Sequence, residues 1–230
     1  MTDAIKIDVW SDIACPWCYI GKRNLENGLA AATADDDAPQ VEVTFHSFEL
    51  SPDTPVDFDG GETDYLATHK GIPADQVQQM LERVTGVAAG AGLEYRFDLL
   101  KHTNTVKAHE LLHFAKEQGR QGETAERLMS AYFTEGRHLG REDELVALAA
   151  DAGLDPDAAR GAPERTLPFR CPCRSSPSHR VRHHGRAVLR HRRQVRRFGR
   201  PACGRVLADR ASGVVRAPRG RRCQRMIRRR

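Results

Sequence analysis

No run of the 230 residues is apolar for long enough to cross a membrane, so no membrane partner is expected. Residues 1–14 offer neither a basic start nor an apolar core, so no secretory leader is expected either. Together these absences point to a cytoplasmic chain in a reducing compartment, where a Cys-x-x-Cys is more often catalytic or metal-binding than a structural staple. Lysine is missing beyond residue 160, and acids nearly so. Residues 161–230 hold 22 Arg, no Lys and two acids, Glu164 and Asp209, a net charge of +20. Residues 1–160 hold 14 Lys and Arg against 29 Asp and Glu, a net charge of −15. The sequence pI near 9.0 is therefore an average over two unlike parts and does not make the whole chain a nucleic-acid binder.

What is present is organised around residues 10–22, WSDIACPWCYIGK. The alternating run Ile5 to Trp10 predicts a strand, and Ile20, Leu25 and Leu29 predict a helix. Cys15-Pro16-Trp17-Cys18 thus lies on a strand-to-helix turn. At a helix start the free N–H groups and the positive end of the dipole favour an anion, and the thiolate is the attacking species in thiol chemistry. Cys18, one turn deeper, is placed to close or resolve a disulfide. Pro16 suits the first helical position because it gives up a donor that has no partner there. The rival reading, half of a zinc site, needs a second ligand pair. Cys171-x-Cys173 has poor zinc spacing, and Cys203 and Cys223 stand alone, so no metal is expected.

Residues 5–32 predict strand then helix, Asp35–Gln40 a polar turn, and Val41–Leu50 a second strand parallel to the first. His46 is expected as an ordinary strand residue. Residues 51–62 form a loop rich in Pro, Asp and Gly. Helices are predicted over Tyr65–His69, Pro73–Gly90, Thr105–Gln118, Gly122–Glu135 and Glu142–Ala152, with Gly92–Asp98 extended between them. Met80 and Met129 are expected in the core. The layout is residues 1–60 as strand–helix–strand, 61–160 as a helical insertion, and 161–230 as an Arg-rich tail.

The segment S-D-x-x-C-P-W-C-Y-x-G-K resembles the DsbA-like thioredoxin superfamily, and within it the FrnE-type branch. Phe45-x-x-Phe48-Glu-Leu50 before Pro52, His102-Thr-Asn-Thr105 with Ala108-His109, and Ala131-Tyr-Phe-x-Glu-Gly136 carry the resemblance onward, so that it covers residues 5–160. It implies an α/β, thioredoxin-like (DsbA-like) fold with a helical insertion, and a dithiol–disulfide oxidoreductase. Cys15 and Cys18 would be catalytic, and Pro16 and Trp17 would tune the redox potential. His102, Asn104 and His109 would line a substrate groove; the plainer alternative is helix capping around Thr103 and Thr105 and a satisfied surface histidine. No cofactor is implied beyond the Cys15–Cys18 pair. Protein or small-molecule disulfides would be substrates, with glutathione a candidate thiol partner. The related 2-hydroxychromene-2-carboxylate isomerase branch usually lacks the second cysteine, so Cys18 favours dithiol chemistry, and a glutathione-dependent isomerase remains the alternative.

Near Arg160 the apolar periodicity stops. One reading is a nucleic-acid-binding tail, whose phosphate contacts would be nonspecific and salt-dependent. The other is GC-rich codons read out of frame. For His183–Ala202, one permitted codon set read one nucleotide later gives ITGVPFFVIDGKYGVSGAQ: Gly-Val-Pro, a strand, a turn and a second strand. That string resembles the superfamily's third and fourth strands with their cis-proline loop. The same shift turns Glu164-Arg-Thr-Leu-Pro168 into E-S-G-R-Y, placing the frame change near residues 160–164. As written, the tail is expected to be irregular or disordered and activity to be impaired, because Arg186-Ala187-Val188 carries no proline.

Overall fold

The computed structural model of the chain describes residues 4–32, 40–161, 188–191, 194–197, 207–209 and 214–216. Strand β1 (Ile5–Ser11) leads through a short turn into helix α1 (Pro16–Ala32), and β2 (Val41–Ser47) returns parallel to β1, in register from Ile5 opposite Val41 to Ser11 opposite Ser47. This is the crossover unit expected from alternation followed by helical spacing, though the second strand ends three residues early, where Phe48 N–H turns to the Ser11 carbonyl. His46 sits in β2 as an ordinary strand residue, its Nε2 2.8 Å from Asp8 Oδ1 and its ring stacked on Trp10.

Among the described residues six helices follow: α2 (Glu62–Lys70), α3 (Ala74–Gly90), α4 (Val106–Glu117), α5 (Gln121–Phe133), α6 (Glu142–Asp151) and α7 (Pro156–Arg160). The first five fall where the apolar spacing puts them. The sixth was not expected; Asp155 caps it by accepting from the N–H groups of Asp157 and Ala158, and Pro156 takes the first position. Met80 is half exposed rather than in the core, because α3 buries the stripe Val77, Val84 and Ala88 and Met80 lies off it. Met129 is buried as expected. Gly136, just past α5, has φ +67° and backs onto the Leu99 carbonyl, so a side chain there would be both strained and without room.

The tail departs from an irregular course at its described residues. Strand β3 (Val188–His191) pairs antiparallel with β1, from Ile7 opposite His191 to Trp10 opposite Val188, and β4 (Gln194–Arg197) pairs antiparallel with β3. The sheet order is β2-β1-β3-β4, and β5 (Leu207–Asp209) and β6 (Val214–Arg216) form a separate pair. The physical reason is a backbone one: β1 has two edges, β2 satisfies one, and the N–H and C=O groups of the other need a partner whatever its side chains. Cys171, Cys173, Cys203, Cys223, Arg186 and Ala187 lie outside the described residues.

One apolar cluster joins the Cys15–Cys18 turn to the helices. Ile13, Cys15, Cys18, Tyr19 and Ile20 pack with Tyr95, Leu128, Met129, Tyr132 and Phe133. The insertion is thus continuous with the site's own core.

Candidate active site

The turn is tight. Cys15 N–H donates to the Asp12 carbonyl (3.2 Å), Pro16 opens α1, and the Cys15 carbonyl accepts from Cys18 N–H (2.9 Å) and Tyr19 N–H (3.3 Å). Both thiols are free and buried, 5% and 7% exposed, while Trp17 between them is 39% exposed at the rim. The Cys18 thiol is hydrogen-bonded to Cys15, and this bond, with burial added, pushes the Cys18 thiol well above its ordinary range. Cys18 therefore stays a protonated thiol.

Three residues before Cys15, the buried Asp12 carboxylate gathers four donors: Ala14 N–H, Leu50 N–H, the Thr105 hydroxyl at 3.0 Å, and His109 Nε2 at 3.3 Å. Burial pushes the Asp12 carboxyl up. The hydrogen bond and field of His109, the Leu50 N–H and the Thr105 hydroxyl outweigh it and hold the group below its ordinary 3.8. His109, one of the three groove candidates, is thus brought from α4 to the turn that carries Cys15 and Cys18. Asp12, though present in the S-D-x-x-C segment, had been given no role by its spacing.

The other two candidates are not brought there. His102 Nδ1 lies 2.6 Å from Glu62 Oε2, and its ring stacks on Tyr65 at 3.5 Å. Asn104 donates to the Pro52 and Thr54 carbonyls and accepts from Val106 N–H, tying the loop after β2 to the start of α4. The capping alternative around Thr103 and Thr105 does not hold: Thr105 makes no side-chain cap bond and its hydroxyl goes to Asp12, the Thr103 hydroxyl goes to the Val56 carbonyl, and His109 is buried rather than on the surface.

A residue that the sequence did not single out meets the turn directly. The Tyr95 hydroxyl donates to the Pro16 carbonyl at 2.7 Å, and its ring stacks on Phe133 (4.7 Å) and Tyr19 (6.1 Å). The expected extended segment around it has no strand partner, yet α5 holds it. Arg96 N–H donates to the Phe133 carbonyl and the Thr134 hydroxyl to the Glu94 carbonyl, both at 2.7 Å.

On the far side of α1, Glu126 of α5 accepts from the Tyr19 hydroxyl, the buried Lys22 ammonium and Arg23. Lys22, Arg23 and Glu126 edge an open cleft of about 940 Å³ that also takes in Arg120, Arg127 and Gly153 but neither cysteine. Among the described residues no group of three His, Cys, Asp or Glu is placed to hold a metal ion, and no helix is long and apolar enough to cross a membrane.

Residues 6–165 match the family of DsbA-like thioredoxin domains. The chain is 30% identical to the uncharacterized protein YwbO of Bacillus subtilis over 161 residues, 70% of this chain and 72% of that one. Among solved structures it resembles a probable DsbA oxidoreductase from Streptomyces coelicolor, with TM-score 0.62 and 36% identity over 69% of this chain and 67% of that one. It also resembles the cytosolic disulfide reductase DsbM of Pseudomonas aeruginosa with GSH, with TM-score 0.54 over 85% and 90% of the two chains; at 18% identity that likeness is one of fold.

Proposed function

The chain belongs to the DsbA-like thioredoxin family, and from that premise we propose that it is a dithiol–disulfide oxidoreductase working through Cys15 and Cys18. The observation that carries the reading is the placement of the two cysteines: Cys15 immediately before α1 and Cys18 in its first turn, both buried and both free. In the reducing direction, Cys15 as thiolate attacks a substrate disulfide and releases one substrate thiolate, leaving a mixed disulfide. Cys18 then loses its proton and attacks the Cys15 sulfur. The second substrate sulfur leaves, the Cys15–Cys18 disulfide forms, and two electrons have passed to the substrate. Two equivalents of an external thiol, with glutathione the candidate, return the pair to the dithiol; the oxidising direction runs the same steps backwards. The DsbM likeness supports a thiol partner of this class and work in a reducing, cytoplasmic setting. Trp17 at the rim and Pro16 at the helix start tune the potential, and the Asp12–His109 pair backs the turn. Titration of the purified chain in glutathione buffers tests the reading: the Cys15–Cys18 bond should form and break reversibly, and a pair that does neither refutes it.

The tail belongs to the same proposal. β3 and β4 occupy 188–191 and 194–197, the positions at which the shifted frame reads FFVI and KYGV, two strands flanking Asp-Gly. This coincidence supports a chain whose sheet edge was written out of frame, with activity impaired accordingly.

A further inference from the structure

We infer that Tyr95 is a positioning residue that stabilises the Cys15–Cys18 disulfide by holding the peptide between the two sulfurs; the inference rests on the oxidoreductase reading. A disulfide across Cys-x-x-Cys closes a ring through the backbone of Pro16 and Trp17. The Tyr95 hydroxyl donates to the Pro16 carbonyl, inside that ring, at 2.7 Å. The phenol therefore pins the first turn of α1 from outside it.

The hold is rigid for three reasons. Tyr95 is buried, its ring lies in the stack with Phe133 and Tyr19, and residues 94 and 96 on either side of it are bonded to the end of α5. The hydroxyl also stays protonated, since burial, with the field of Cys15 when it is a thiolate adding to it, pushes its pKa well above the ordinary tyrosine range. A donor fixed in this way removes motion that the dithiol form would otherwise keep. Less freedom is then lost when the sulfurs join, so the oxidised form is favoured. Nothing in the S-D-x-x-C-P-W-C segment carries this contact; it comes from the insertion, 79 residues away.

The test is the equilibrium in which the dithiol and oxidised glutathione give the protein disulfide and two glutathione thiols. Tyr95→Phe keeps the ring stack and removes only the donor. Its constant for disulfide formation should fall by about three- to tenfold, the larger value corresponding to about 30 mV towards a more oxidising potential. By linkage, the variant should lower the unfolding midpoint of the oxidised protein more than that of the reduced one. Thr134→Ala, which loosens the segment without touching the turn, should move the constant the same way by less, and it serves if Tyr95→Phe fails to fold. Equal loss of midpoint in both redox forms with an unchanged constant would make Tyr95 merely structural and overturn the inference. A wild-type pair that equilibrates beside an unmoved variant refutes this inference alone; a wild-type pair that never joins refutes the oxidoreductase reading and this inference together.

Discussion

Nε2 of His109 lies 3.3 Å from Oδ1 of Asp12, across 97 residues of chain, with both side chains almost wholly buried. The pair locks the insertion to the loop that ends at Cys15. Because the folded Asp12 carboxyl is held below its ordinary 3.8, its contribution to stability is present above about pH 4 and is lost as pH falls through the folded value. Asp12→Asn removes one partner of a buried pair and should cost about 3 kcal/mol at neutral pH. Urea unfolding at several pH values checks this. The gap between wild type and variant should narrow below pH 4, and parallel curves would mean that Asp12 is not the titrating group.

Cys18 and Cys15 should fail differently. With Cys18→Ser the mixed disulfide has no resolving thiol, so incubation with oxidised glutathione should leave one glutathione attached at Cys15, visible by mass. Turnover should drop by at least about a hundredfold, in keeping with loss of a group that acts in the chemical step. Cys15→Ser should give no adduct on the peptide bearing residues 15–18; the four cysteines of the tail are read on their own peptides. An isomerase on this scaffold would keep its rate in Cys18→Ser, so unchanged turnover would favour that alternative.

Glu126 should matter for stability rather than for the thiols. Burial pushes its carboxyl up, but the hydrogen bonds from Lys22 and Tyr19 and the charges of Lys22 and Arg23 outweigh it and hold it below its ordinary 4.5. The stabilisation is therefore present above about pH 4.5 and fades as pH falls through the folded value. Its side chain is one-third exposed, so solvent screening keeps the worth of the cluster near 1 kcal/mol despite the buried Lys22. Glu126→Gln should lower the unfolding midpoint by a few degrees and leave the glutathione equilibrium unmoved. A shifted equilibrium would place this cluster in the redox site after all.

The strand–turn–helix frame was legible in the sequence because its signals are local: alternation up to Trp10, proline at the first helical position, and apolar spacing from Ile20 onward. The same holds for five of the six later helices. What stayed hidden was carried by distant contacts. Nothing near Tyr95 says that its hydroxyl will meet Pro16, and nothing near Asp12 says that Thr105 and His109 will surround it. His102 meets Glu62 and Asn104 meets the Pro52 and Thr54 carbonyls, contacts equally hidden because motif membership fixes neither where a side chain points nor what it meets. As written, the residues of β3 and β4 carry no apolar periodicity, and only the shifted frame spells two strands there.

That edge supplies a test of the reading frame. As written, β3 sets His191 opposite Ile7 and Arg190 opposite Asp8, and β4 sets Arg196 and Arg197 opposite Leu189 and Val188. In the shifted frame the same register puts the strand FFVI beside Ile7–Trp10 and the strand KYGV beyond it, with one basic residue in place of two arginines. Burying two or three further apolar side chains at about 2 kcal/mol each contributes about 5 kcal/mol. For a chain of this length that raises the thermal midpoint by about 10–15 °C. A variant carrying the shifted reading from about residue 162 should therefore unfold at a markedly higher temperature and exchange disulfides faster, since a proline-bearing strand edge would again face the cysteines. Scanning calorimetry and glutathione exchange on the two chains decide it. Equal midpoints and equal rates, or a gene whose nucleotides do not spell Gly-Val-Pro one base on, would leave the Arg-rich tail as the protein's own.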